Sequence, residues 1–176
     1  MKRVSTRGFS LIELLIVVAI ILIIASIAIP NLLRARIAAN EASASNSIRT
    51  INTAEISYQS TYPTTGYAAN LASLGGSAAQ CAAPSPVSAC LIDNVLAQNG
   101  NPSGGGKSGY SFAAVGGGPT AGGVLTDYYA TGTPLGANQT GIRSFCSYED
   151  AVIRIDPSGA LVGSRAACQA LEPLSQ

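Results

Sequence analysis

The sequence contains no histidine and no tryptophan, and it is poor in charged residues. Of its 176 residues, 11% are Asp, Glu, Lys or Arg, and the formal net charge is +1. The missing histidine excludes every catalytic triad that uses an imidazole base, and the small net charge predicts no nucleic-acid partner. No G-x-S-x-G motif occurs either. The sequence therefore favours a protein that is not an enzyme and that needs no cofactor.

A long apolar run stands near the start of the chain. It extends over Leu11–Ile29, and only Glu13 and Ser26 interrupt it. A helix needs about 20 apolar residues to cross the hydrocarbon core of a bilayer. Three of the first seven residues are basic, which predicts a cytoplasmic N-terminus and an exported remainder. The run therefore predicts a single membrane-spanning helix.

A secretory signal peptide is the alternative interpretation of this run. Ser26-Ile27-Ala28 offers a small-x-small cleavage site. However, the apolar region of a signal peptide usually has about 7–15 residues, and Glu13 has no role in it. We therefore favour the membrane span.

The residues around Glu13 have a specific pattern. Gly8-Phe9-Ser10-Leu11-Ile12-Glu13, after a short basic leader and before the apolar run, resembles the prepilin motif of type IV pilins and their pseudopilin relatives. The resemblance covers about the first 60 residues, through Pro30. In that family a membrane peptidase cuts after the glycine and methylates the new amino terminus. The resemblance implies that Gly8 precedes the cut and that Phe9 becomes the first mature residue.

Glu13 needs an explanation, because a charge inside a membrane span costs roughly 2.5–3.5 kcal/mol or more and usually has a partner. After cleavage, the amine of Phe9 would lie one helical turn away and could pair with Glu13 in the same chain. The resemblance implies instead that Glu13 pairs with the amine of a neighbouring subunit. A third alternative is a carboxylate that merely reaches the headgroup layer.

The helical pattern continues beyond the apolar run. Apolar residues recur at helical spacing in this series: Leu33, Ile37, Ala44, Ile48, Ile51, Ala54 and Tyr58. We expect one helix from about Phe9 to Tyr62, because Tyr62-Pro63 disfavours further helix. Pro30 lies inside it and removes one backbone hydrogen bond, so a kink or local unwinding is expected there.

The remaining chain predicts a small antiparallel sheet. Residues 63–108 are rich in Pro, Gly, Ser and Ala and are interpreted as a connecting region, with one short helix within Cys90–Gln98. Strands are predicted over Tyr110–Val115, Asp127–Gly132 and Ser144–Ile155. A turn at Asp156-Pro157-Ser158-Gly159 then leads to a fourth strand, or its stub, at Leu161-Val162. The fold class is α+β, a long N-terminal helix against a small antiparallel β-sheet head, as the resemblance to type IV pilins also implies.

Four cysteines lie on the side predicted to be exported, and their even number indicates two disulfides. They are Cys81, Cys90, Cys146 and Cys168. Three pairings are possible. We favour Cys81–Cys90, which closes a short loop, with Cys146–Cys168, which ties the C-terminal tail to the last long strand. A zinc site is disfavoured because there is no histidine and no C-x-x-C, so no metal is expected.

Two further motifs have ordinary interpretations. Asn101–Ser108 fits the phosphate-binding pattern except that Asn101 replaces the first glycine, and no strand-to-helix context surrounds it. A flexible loop is therefore favoured. Asn138-Gln139-Thr140 fits a glycosylation sequon, and whether it is used stays open.

The resemblance to type IV pilins, together with these patterns, implies a structural subunit of a type IV pilus. Its expected partners are copies of itself, a prepilin peptidase and methylase, and an inner-membrane assembly platform. The subunit would lie in the inner membrane before assembly and in an extracellular pilus afterwards. The alternatives are a pseudopilin of a type II secretion system and an uncleaved, membrane-anchored binding module. The predicted organisation is a leader (1–8), a membrane and filament-core helix (9–30), its amphipathic continuation (31–62), a connecting region (63–108), and a sheet with a disulfide-tied tail (109–176).

Overall fold

The structure is a computed structural model, and it describes residues 9–99 and 106–174. Gly8 and the first five residues of the glycine-rich loop, 101–105, lie outside the described residues. The elements in chain order are α1 (Leu11–Thr61), α2 (Leu71–Leu74), a 3₁₀ turn (Gln80–Ala82), α3 (Asn94–Ala97), β1 (Tyr110–Pro119), β2 (Leu125–Pro134), β3 (Ser144–Tyr148), β4 (Arg154–Asp156), α4 (Arg165–Gln169) and β5 (Glu172–Pro173). The chain is α+β, as the sequence predicted.

The chain divides into two compact units, an N-terminal unit that ends at Arg36 and a second unit that begins at Ile37. We call the second unit the head. The helix α1 contributes residues to both units.

In the N-terminal unit, α1 begins at Leu11 and is helical through Pro30. The amide of Leu14 donates to the carbonyl of Ser10 at 3.2 Å, which makes Ser10 the residue that caps the helix. The predicted helix from Phe9 to Tyr62 is therefore confirmed within two residues at each end. The proline does not interrupt the helix in this structure.

The head has its core on one side of α1. The buried stripe of the helix consists of Ala44, Ile48, Ile51, Ala54 and Tyr58. These side chains form one hydrophobic cluster with aromatic residues of the sheet, Tyr110, Phe112, Tyr128 and Phe145. The second half of α1 is thus held by tertiary packing of an amphipathic face, which is the usual source of helix stability in proteins.

Within the described residues, the sheet has five strands in the order β1-β2-β3-β4-β5, and every neighbouring pair is antiparallel. The two long strands, β1 and β2, are both ten residues long. Strand β1 continues beyond the C-terminal end of the strand predicted there, and β2 continues beyond both ends of its predicted strand. Strands that follow one another in the chain are also neighbours in the sheet, so the sheet is a simple meander.

The predicted single strand Ser144–Ile155 is wrong, because the chain reverses inside it. Strands β3 and β4 are antiparallel to each other, and the reversal lies between Tyr148 and Arg154. Asp150 stabilises this turn, since its Oδ1 accepts the amide of Val152 at 2.9 Å. Ala151 has φ +57°, a backbone conformation that interrupts a strand.

The predicted strand at Leu161-Val162 is also wrong. Neither residue is in a strand, and Val162 is instead buried in a second small cluster with Cys146 and Cys168. The strand that does pair with β4 is β5, later in the chain. The turn at Asp156–Gly159 is confirmed, with the amide of Gly159 donating to the carbonyl of Asp156 at 3.3 Å and φ of Gly159 at +70°.

Both disulfides are present, Cys81–Cys90 and Cys146–Cys168, with Cα–Cα distances of 5.7 and 5.9 Å. This is the pairing that the sequence favoured. The second disulfide is completely buried and joins β3 to α4. The connecting region also contains more helix than predicted, since α2 and the 3₁₀ turn precede α3.

Candidate assembly surface

The most unusual surface of the molecule is the first part of α1. Seventeen large apolar side chains between Phe9 and Leu33 are each 46–78% exposed. They lie on all sides of the helix, and none of its most apolar stretch is buried within the chain. Monomeric soluble proteins rarely expose so large a contiguous apolar surface. This segment, residues 9–33, is long and apolar enough to cross a membrane, and we call it the apolar segment.

Glu13 has a local role in this structure. Its Oε2 accepts the backbone amide of Ser10 at 3.2 Å. Ser10 and Glu13 therefore form one half of a capping box, in which a glutamate three residues after the N-cap satisfies an amide that has no helical partner. The carboxylate is turned back toward Ser10, on the side of the helix start where Phe9 lies.

Ser26 and Pro30 together disturb the backbone hydrogen bonding of the apolar segment. Proline has no amide hydrogen, so the carbonyl of Ser26 lacks its usual donor four residues later. The hydroxyl of Ser26 does not repair this, because it donates to the carbonyl of Ile23 at 2.7 Å. The backbone is thus weaker at this turn than elsewhere in the apolar segment, although it is helical.

In the head, Glu41 joins α1 to the loop before β3. Its Oε2 accepts from Nε and Nη2 of Arg143 at 2.9 and 2.6 Å, and its Oε1 accepts the amides of Ile142 and Arg143 at 3.0 and 3.1 Å. Glu41 is buried, with 7% exposed. Burial alone would raise the pKa of its carboxyl, but the four hydrogen bonds and the Arg143 charge hold that pKa below its usual value.

Asn40 strengthens the same junction. Its Nδ2 donates to the carbonyl of Thr140 at 2.8 Å. Tyr110 completes it from the sheet, since its hydroxyl donates to the carbonyl of Arg143 at 2.7 Å. The loop is therefore attached both to the helix and to β1.

Glu55 is the second buried carboxyl of the head, and it has no cationic partner among the described residues. Its side chain is fully buried. Its Oε2 accepts the amide of Ala68 at 2.9 Å, while its Oε1 has no partner within the part of the chain that the structure describes. Burial raises the pKa of Glu55 to about 7, although the Ala68 amide acts against it.

Sequence reasoning did not identify these two glutamates, although a signal was present. The apolar stripe of α1 steps by seven residues from Ile37 to Ala44, and Glu41 stands midway, on the same face. Glu55 likewise lies four residues after Ile51. The spacing Ser10-x-x-Glu13 was also readable as a capping box. A polar residue at a stripe position indicates a buried polar contact.

The structure thus separates the sequence-predicted residues into two places. Phe9, Glu13 and Pro30 belong to the exposed apolar segment, and the four cysteines form the two disulfides of the head. Within residues 9–99 and 106–174, no three His, Cys, Asp or Glu side chains gather at metal-binding distance.

Comparison with known proteins concerns the same N-terminal segment. Residues 3–29 match the family described as the prokaryotic N-terminal methylation motif. Over 37 residues, 21% of this chain, the sequence is 62% identical to the type IV wide pilus major component PilA4 of Thermus thermophilus. That stretch spans 28% of the relative's length. No solved structure matches the chain. The chain therefore carries a prokaryotic methylation motif, and this segment is similar to that of a type IV pilus subunit.

Proposed function

We propose that this chain is a structural subunit of a type IV pilus, cleaved after Gly8, methylated at Phe9 and polymerised through the apolar segment. The observation that carries the proposal is the exposed apolar segment itself, together with the methylation motif that overlaps it. A prepilin peptidase and methylase would process the chain, and an inner-membrane assembly platform would polymerise it. The head would then cover the filament for adhesion or motility.

The apolar segment demands an apolar environment of some kind. Complete burial of one large aliphatic or aromatic side chain contributes about 1.5–3 kcal/mol, and seventeen such side chains are exposed here. Before assembly, the bilayer core would provide this apolar environment, since the segment is long enough to span it. In a filament, the same segments of neighbouring copies would bury one another, so no large apolar surface would be left in water.

Glu13 would then specify how one copy fits against the next. Cleavage after Gly8 would create a positive amine at Phe9, on the side to which the Glu13 carboxylate already turns. In an apolar filament core, an unpaired charge is strongly unfavourable. Pairing of Glu13 with the amine of a neighbouring copy would neutralise both charges only at the correct axial position.

The substitution Glu13→Gln separates this assembly role from helix capping. A glutamine oxygen still accepts the Ser10 amide, but it carries no charge. We expect E13Q to insert in the membrane and remain helical while fibre yield falls at least about tenfold. Removal of one partner of a buried ion pair costs about 3–5 kcal/mol, and about 1.4 kcal/mol already corresponds to a factor of ten. The measurement is the amount of subunit in sheared surface fibres relative to the membrane pool. Ser10→Ala is the matched control, because it keeps the backbone amide and the charge; equal fibre yield from E13Q and the unsubstituted chain would contradict the proposed role.

The first test of the whole proposal is the intact mass of the protein released by shear from its native host. A chain that begins at Phe9, is about 14 Da heavier at its amine, and contains two disulfides would support a processed pilus subunit. The same mass found only in the membrane would favour the alternative, a pseudopilin of a type II secretion system. A chain that still begins at Met1 would instead support a membrane-anchored binding module.

A further inference from the structure

Two arginines follow directly after the apolar segment. Arg34 and Arg36 are both exposed, and both belong to the N-terminal unit. The four ion pairs among the described residues involve other side chains. Each guanidinium presents five N–H donors. The N-terminal unit therefore ends in two exposed cations that take part in none of the ion pairs among the described residues.

The distance along the helix places these cations at a membrane surface. From Glu13 to Arg34 there are 21 residues, which at 1.5 Å per residue correspond to about 31 Å. The hydrocarbon core of a bilayer is about 30 Å thick. When Glu13 lies at one edge of the hydrocarbon, Arg34 therefore lies at the opposite edge, in the phosphate layer. Arginine stems are long enough to keep their charged ends in that layer.

The direction of the two side chains distinguishes a lipid layer from a protein partner. Residues two apart on an α-helix point about 200° apart around its axis. Arg34 and Arg36 therefore project from opposite sides of α1. One flat protein surface could contact only one of them, whereas a headgroup layer surrounds the helix and offers phosphates to both.

We propose that Arg34 and Arg36 bind the phosphates of lipid headgroups on the exported side of the membrane and so fix the depth of the subunit before assembly. The inference rests only on the membrane-spanning part of the proposed function. Bidentate pairing of guanidinium with phosphate is among the strong charge-assisted contacts. Assembly must then break these contacts, so the same two residues would restrain the release of the subunit from the bilayer.

The test measures lipid retention by the full chain in detergent micelles with native mass spectrometry. The probe is phosphatidylglycerol, and diacylglycerol, which lacks the phosphate, is the comparison lipid. The test variant is Arg34→Gln with Arg36→Gln. The matched control is Arg49→Gln, an exposed arginine on the same helix whose Nη1 donates to Asn46 at 2.9 Å. Circular dichroism checks that every variant has the same helix content.

We expect the double variant to retain about tenfold less phosphatidylglycerol, since each basic residue at a membrane surface contributes severalfold to anionic-lipid binding. R49Q should retain as much as the unsubstituted chain, and replacement of both residues by lysine should preserve most of the binding. Diacylglycerol should be lost equally from all variants.

Two results would overturn the inference. One is equal retention of phosphatidylglycerol by R34Q/R36Q and R49Q; the other is loss of fibres in the double variant without loss of lipid, which would assign the arginines to contacts between copies. A different result would concern the proposed function alone. If the unsubstituted chain never forms fibres but its lipid binding depends on the arginines, the pilus proposal fails and this inference stands.

Discussion

Replacement of Glu55 by glutamine should remove most of the pH dependence of head stability between pH 4.5 and 7. The unfolded chain has a glutamate pKa of 4.5, and burial raises the pKa of Glu55 in the folded head to about 7. The folded state therefore binds the proton more tightly. The stabilisation that the raised pKa of Glu55 gives to the folded head is fully present below pH 4.5, decreases as pH rises through about 7, and is absent above that.

The size of the effect follows from the two pKa values. One pKa unit corresponds to 1.36 kcal/mol, so the shift from 4.5 to about 7 corresponds to about 3 kcal/mol of unfolding free energy. That is a large share of the stability of a domain of this size, which is about 5–15 kcal/mol. The groups that face Glu55 are Tyr58, Tyr67 and Tyr128. Burial, and then the Glu55 charge, raise the pKa of all three hydroxyls, so they stay neutral in this range.

The assay is urea unfolding of the full chain in detergent micelles, followed by the tyrosine signal in near-ultraviolet circular dichroism, at several pH values from 4 to 8. The sequence has no histidine, so no other side chain with an ordinary pKa changes charge between about pH 5 and 8. The unsubstituted chain should lose about 3 kcal/mol between pH 4.5 and 7, while E55Q should stay nearly constant and be the more stable protein at pH 8. Parallel curves for the two proteins would refute the reasoning.

Two further changes test how the head is held together. Glu41→Ala should lower the unfolding free energy by about 2–3 kcal/mol, because it leaves two backbone amides and a guanidinium without their acceptor; Asn46→Ala, on the exposed side of the same helix, is the control. Replacement of Cys146 and Cys168 by serine should destabilise more than replacement of Cys81 and Cys90, because the loop it opens is longer, 22 against 9 residues, and its sulfurs are buried. Both are measured by urea unfolding, and equal losses for the two disulfides would contradict the second prediction.

The parts of the fold that periodicity specifies were predictable. The helix α1 has a clear 3.6-residue stripe and a Tyr62-Pro63 stop, and its bounds follow from these signals. The two long strands have strand-forming residues around Tyr128 and Phe112, so their positions were predictable, although not their full lengths. Local chemistry was enough in these cases.

The reversal inside Ser144–Ile155 was not predictable from propensity, because the residues on both sides are good strand formers. It depends on one side chain, Asp150, which caps the turn and also binds Arg154 at 2.7 Å. Strand β5 is only two residues long and is specified by its partner, since the amide of Leu174 donates to the carbonyl of Ile153 at 2.8 Å. Such contacts between distant residues leave no periodic pattern.

Only part of the candidate site could be predicted from the sequence, because contacts between distant residues leave no pattern there either. Phe9, Glu13 and Pro30 follow from a linear motif. Glu41 could be suspected only as a gap in the apolar stripe, and its partner Arg143 lies 102 residues away. Because one sequence gives no information on which distant residues meet, the partner could not be predicted.

The order of contacts also has a consequence for how the chain is made. The sheet pairs neighbours in sequence, but the polar contacts of α1 wait for residues much later in the chain; Asn40, for example, meets Thr140 across 100 residues. At a synthesis rate of about 5–20 residues per second, Asn40 is without this partner for about 5–20 seconds after it is made. During that interval the newly made helix is only partly covered and is a target for chaperones and proteases, and its contacts are complete only after the loop before β3 and β3 itself have been made.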